Sequence, residues 1–111
     1  MTQAPPVEAA EEAIRKAGNV CVFAYTVDFV PIEKLFISRN LKKRQGKASQ
    51  SLVKQARQAP ETLPPIFTLR SKPHPGFFAI AHGTDLFSAA KIARLKGLWA
   101  VIADEWIECV T

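Results

Sequence analysis

Residues 77–98, FFAIAHGTDLFSAAKIARLKGL, decide the fold. The stretch reads as a buried strand over residues 77–81, a tight turn at His82-Gly83-Thr84-Asp85, and an amphipathic helix over residues 86–96 closed by Gly97. A strand that turns on a glycine into a helix aims backbone N–H groups above the turn. Unpaired donors and aligned peptide dipoles attract anions there. The spacing therefore predicts a phosphate-binding turn at Gly83 and Thr84. Thr84 and Asp85 are also residue types that cap helix starts. Asp85 is placed to bind Mg²⁺ or Mn²⁺, or to polarise a water beside a bound phosphate. His82, at the strand end, is an imidazole suited to general acid or base work.

Working outward, residues 7–17 carry good helix formers and stop at Gly18, a C-terminal cap. NVCVFAYTV (19–27) is β-branched and aromatic and reads as a strand. Residues 32–38 fit either a short strand or a single helical turn. Residues 39–47, RNLKKRQGK, are basic and aperiodic, hence a loop. Residues 48–59 form a helix capped by Ser49 or Ser51, with Leu52, Val53 and Ala56 as its apolar stripe and Lys54 and Arg57 on its exposed face. Pro60 ends it. IFTLR (66–70) is a strand joined to the 77–81 strand by SKPHPG, which is turn chemistry throughout and predicts a hairpin. LWAVIADEW (98–106) is a final apolar strand. Trp99, Trp106, Phe77, Phe78 and Phe87 are expected in the core rather than as base-stacking platforms, because their neighbours are apolar. The order predicts a small single-domain α+β layer structure, with a helical extension over residues 1–18 at its start.

The chain has 111 residues, enough for one domain, and no apolar run long enough to span a membrane. Its start lacks the basic and apolar blocks of a secretory signal. Cys21 and Cys109 stand alone inside apparent strands, without metal-ligand spacing, and are expected to be buried free thiols in a cytoplasmic protein. The net charge of +5 is unevenly distributed. Residues 1–38 sum to −2, residues 39–96 to +10 and the remainder to −3. A concentrated positive middle favours a polyanionic partner. Arg39, Lys42, Lys43, Arg44 and Lys47 crowd one short loop, and with Lys54 and Arg57 they are the candidate contacts for sequence-nonspecific DNA binding. Arg39 and Arg44 are the candidates for phosphate, since a guanidinium grips it bidentately. Lys91 and Arg94 suit the negative end of the helix dipole.

The order of these segments resembles the ParB N-terminal/sulfiredoxin superfamily over roughly residues 28–106. Pro65-Ile66 stands where that superfamily has its Pro-Ile strand, Gly83 where it has its glycine turn, Ala89-Ala90-Lys91 on the following helix, and Leu95-Lys96-Gly97-Leu98 before the closing strand. The resemblance implies a single-domain mixed sheet with packed helices over residues 19–111, and a phosphate, nucleoside triphosphate and DNA-binding domain. Thr84-Asp85-Leu86 replaces the Glu-Arg-Arg of the partition proteins and the Cys-His-Arg of sulfiredoxin. Sulfinic-acid repair is therefore not expected, and no helix-turn-helix segment follows. What remains resembles solitary ParB-like proteins of plasmids and mobile elements, including Osa-type fertility inhibitors. That likeness implies metal-dependent nuclease or nucleotide hydrolase activity, or a protein partner in plasmid partition or transfer. The alternative is a non-enzymatic protein that blocks an acidic partner with its basic face.

Overall fold

The computed structural model describes residues 5–18, 20–37 and 48–108. Helix α1 (Val7–Ala17) ends at Gly18, whose φ of 77° makes the left-handed exit that glycine tolerates. Strand β1 spans Val20–Pro31, beyond the expected end, because Asp28 and Phe29 remain paired with Ala100 and Trp99. Proline is tolerated at its last position because β1 is an edge strand. The ambiguous segment then contains both candidates in succession: a 3₁₀ turn over Ile32–Lys34 and strand β2 over Leu35–Ile37. The basic loop, with Arg39, Lys42, Lys43, Arg44 and Lys47, lies outside the described residues.

Helix α2 (Gln50–Gln58) is capped by Ser49, whose Oγ accepts from Leu52 N–H at 3.1 Å. Pro60 opens a 3₁₀ turn that leads to strand β3 (Ile66–Arg70). Strand β4 (Phe78–His82) pairs antiparallel with β3, as the turn chemistry predicts. Helix α3 spans Thr84–Ile92 and strand β5 spans Gly97–Glu108. The sheet order is β1-β5-β3-β4-β2, with β3 parallel to β5 and β2 parallel to β4.

Strand β3 is central, and Ile66, Phe67 and Thr68 are fully buried. Both faces of the sheet are covered. Ile66, Ile80, Ala100 and Ile102 pack with Ala56 of α2 and with Phe87 and Ala90 of α3. Phe67, Val101 and Ala103 pack with Ala10 and Ala13 of α1 on the other face. The buried Thr68 hydroxyl donates to the Val101 carbonyl at 3.1 Å, which satisfies it within the sheet. Among the described residues no helix is long and apolar enough to cross a membrane.

Three expectations are corrected. Helix α3 begins two residues early and stops at Ile92, so Gly97 does not close it. Leu95 N–H bonds Ala90 C=O and Arg94 N–H bonds Lys91 C=O, with Arg94 itself at φ 57°. That is a Schellman termination built on arginine. Gly97 serves a different purpose: a Cβ there would lie 2.4 Å from the Val30 carbonyl oxygen, so only glycine lets β5 approach β1. Phe77 is 38% exposed, because β4 starts one residue later and leaves it in the turn. Cys21 is exposed and disulfide-bonded, not a buried thiol. It sits where β1 pairs with β5 beyond the reach of β3, so its apolar neighbours do not enclose it.

Candidate functional site: the cleft at the end of strand β4

Ile66, preceded by Pro65, starts β3 beside the end of β4, where His82 leads into Gly83. Gly83 is at φ 102°, and a Cβ added to it would meet Ile66 Cγ2 at 2.7 Å. Glycine is thus needed both for its backbone conformation and for its closeness to β3. The close approach of Gly83 to Ile66 sets α3 to begin against the start of β3.

Gly83, rather than Thr84 or Asp85, occupies the N-cap, and no side chain caps α3 there. Thr84 and Asp85 are the first helical residues. Asp85 Oδ1 accepts from Leu86 N–H at 2.9 Å, so the carboxylate already engages a donor that an anion would use. Its position in the first turn also suits the helix dipole.

His82 and Asp85 both line a cleft of about 390 Å³. Its other polar walls are Glu12 and Lys16 from α1 and Gln55 from α2. Gln55 is held in place by a bond from Nε2 to Thr62 Oγ1 at 2.9 Å. Gly83 is buried behind this wall and Thr84 is half-buried. Glu12 and Lys16 fall outside the site expected from the sequence because that expectation sets α1 apart from the domain, and Gln55 on α2 falls outside it because it carries no charge. The signal was present: Glu12 and Lys16 are four apart and share one helix face.

Neither Glu61 nor Asp104 joins Asp85. Glu61 lines a separate hollow with Lys96 and Trp99. Asp104 accepts from the Thr26 hydroxyl and from Arg70 Nε at 2.9 Å, and these bonds, Thr26 contributing most, hold its pKa below the ordinary 3.8. Among the described residues no three His, Cys, Asp or Glu side chains are grouped to hold a metal ion. The donor set around Asp85 does not fit a resident Mg²⁺ or Mn²⁺. Lys54 and Arg57 are exposed on α2. Lys91 lies with its ammonium 5.2 Å from the centre of the Phe87 ring, in the last turn of α3 and away from the cleft.

No protein-family model matches the chain, and no curated protein does. Solved structures do. The C-terminally truncated chromosome-partitioning protein ParB from Caulobacter crescentus, complexed with CTP-gamma-S, superposes with a TM-score of 0.56 and 23% identity, covering 69% of this chain and 43% of that one. The same protein complexed to the centromeric parS site gives 0.50 and 23%, covering 68% and 37%. The chain therefore spans less than half of these ParB chains. Sulfiredoxin from Arabidopsis thaliana gives 0.53 and 18% identity, covering 69% and 83%. With its five-stranded mixed sheet, its Pro65-Ile66 step and its Gly83 turn, the chain has the fold shared by the ParB N-terminal domain and sulfiredoxin.

Proposed function

We propose that this is a ParB-like domain that binds a nucleoside triphosphate at the Gly83 cleft and DNA through its basic middle. The observation that carries this reading is the Gly83 turn. It starts α3 against Ile66, between His82 and the Asp85-Leu86 pair that line a cleft of ligand size, with Asp85 already holding the Leu86 N–H. Two solved neighbours of the same fold, one complexed with CTP-gamma-S and one with parS DNA, support it. The excess of lysine and arginine over residues 39–96 supports the DNA half.

Glu12 and Asp85 oppose a bare triphosphate in the cleft, so the ligand is a triphosphate carrying its own Mg²⁺ or Mn²⁺. Titration of CTP by NMR should shift the amides of residues 82–87 with Mg²⁺ present and much less without it. Shifts confined to other amides would show the site to be elsewhere. Replacing Lys42, Lys43 and Arg44 together with Ala should weaken binding to unrelated DNA sequences equally. It should also flatten the salt slope by roughly one unit per lost phosphate contact.

A finer form of the reading gives Asp85 and His82 a part in nuclease or nucleotide hydrolase activity, within plasmid maintenance or transfer inhibition in the cytoplasm. The disulfide at Cys21 removes the free-thiol ground for that location. Asp85→Asn keeps the oxygen that Leu86 N–H uses and removes the charge. Wild-type turnover by that variant would end the catalytic assignment. The same two carboxylates favour a second reading, a non-enzymatic protein that covers an acidic partner with its basic face. Absence of any CTP-dependent amide shift, with DNA-mimicking acidic proteins bound, would select it.

A further inference from the structure

We propose that the hollow formed by Phe36, His74 and Phe77 is a nucleobase-stacking site for single-stranded nucleic acid. Three aromatic rings from two elements meet there around a hollow of about 370 Å³. The parallel pairing of β2 with β4 sets Phe36 opposite Ala79, alongside the turn that carries the other two rings. That turn is tied down: His74 N–H donates to Ser71 Oγ at 3.2 Å, Phe77 N–H to His74 C=O at 3.1 Å, and Ser71 N–H to Phe77 C=O at 3.1 Å. The rings are therefore presented on a fixed frame, while Phe77 remains 38% exposed.

The charge around the hollow selects the occupant. Lys34 holds its ammonium 4.9 Å from the centre of the Phe77 ring, so a cation already sits over the aromatic surface. Lys72 is exposed on the same turn and no acidic residue stands between Glu61 and Asp85 in the chain, while Glu33, beside Lys34, is exposed to solvent. A partner that offers a flat apolar face together with negative charge fits this arrangement, and a nucleotide within a strand offers both. When a base covers Phe77, the flexible Lys34 side chain is free to move to its phosphate. A duplex hides its base faces in the stack, so the occupant is a single strand.

This site is distinct from the cleft. Phe77 precedes β4 and Gly83 follows it, and a five-residue strand separates them by roughly 17–20 Å. The inference rests on the DNA-binding half of the reading above and not on the nucleotide half.

The test is fluorescence anisotropy with labelled oligo(dT), and with a duplex of equal length, on the full chain. Phe77→Ala should weaken oligo(dT) by about five- to a hundredfold, the range for loss of one aromatic stack, and leave the duplex unchanged. Phe77→Trp, which keeps a ring, should stay within a few-fold of wild type. Phe77→Ala should retain the wild-type salt slope, whereas Lys34→Ala should flatten it. The proposal is overturned if folded wild type does not bind oligo(dT), or if Phe77→Ala affects both DNAs alike or neither. It is equally overturned if a proline-rich peptide, the other occupant that aromatic grooves take, displaces oligo(dT) through Phe77. Phe77-dependent oligo(dT) binding in a protein that gives no CTP shifts would uphold this site while removing the nucleotide cleft.

Discussion

At Gly83 the backbone turns at φ 102°, and an added methyl group would press on Ile66 at 2.7 Å. Gly18 also has positive φ, 77°, but nothing lies within 4 Å of its missing side chain. The two glycines should therefore respond differently to alanine. Gly18→Ala carries backbone strain alone, about 1 kcal/mol, whereas Gly83→Ala adds a clash with a central strand and should cost about 2–4 kcal/mol. Urea unfolding of the two variants checks this, and equal losses would refute the packing role of Gly83. Arg94 is the converse case, a non-glycine residue at φ 57° that ends α3. Arg94→Gly should stabilise the chain by up to about 1 kcal/mol, read as a higher urea midpoint with an unchanged slope. The turn at Gly83 was legible in the sequence because only glycine suits a strand-to-helix corner. The termination at Arg94 was not, since nothing in a row of residues marks an arginine as left-handed.

Among the elements, the strands were the more legible, because β-branched and aromatic runs bounded by proline and glycine leave few alternatives. The placement of α1 was not legible. Its pattern shows an apolar stripe but not which sheet face needs one. That face is the layer of Phe67, Val101 and Ala103, and Ala10 is buried against it. Ala10→Leu should overfill the contact and cost about 1–3 kcal/mol by the same urea measurement, while an exposed control such as Glu11→Ala should not. Three strands are also joined by one cluster: Thr26 on β1 and Arg70 on β3 both donate to Asp104 on β5. These bonds depress the Asp104 pKa below its ordinary 3.8. The stabilisation is thus fully present above that value and is lost as the pH falls through the lower folded-state value. The stability gap between wild type and Asp104→Asn should stay constant near neutrality and narrow below about pH 4. Asp104 is partly exposed, so the gap should also shrink in high salt.

For the molecule as a whole, the dominant sequence signal was electrostatic, and charge predicts association rather than fold. That is why composition points to a kind of partner, whereas it gives no hint of the cleft, whose walls come from α1, α2 and the end of β4. Lys54 and Arg57 are exposed on α2, as the helix pattern indicated. Replacing both with Ala should lower the dependence of log affinity on log salt by about one to two units for duplex DNA, with no change in the unfolding midpoint. An unaltered slope would remove α2 from the DNA-binding surface.

The partner of β1 in the sheet is β5, in a register that runs from Val20 opposite Glu108 to Pro31 opposite Gly97. A strand near the start of the chain thus waits for the one that follows every other described element. During synthesis β1 emerges early and has no edge to join until β5 has left the ribosome. Such long-range closure slows folding and leaves an apolar strand open to other chains in the interval. A circular permutant that joins the end of the chain to its start would leave only α1 between β5 and β1 and so shorten the most distant pairing. It should refold faster at similar stability, and it should aggregate less when translation is slow.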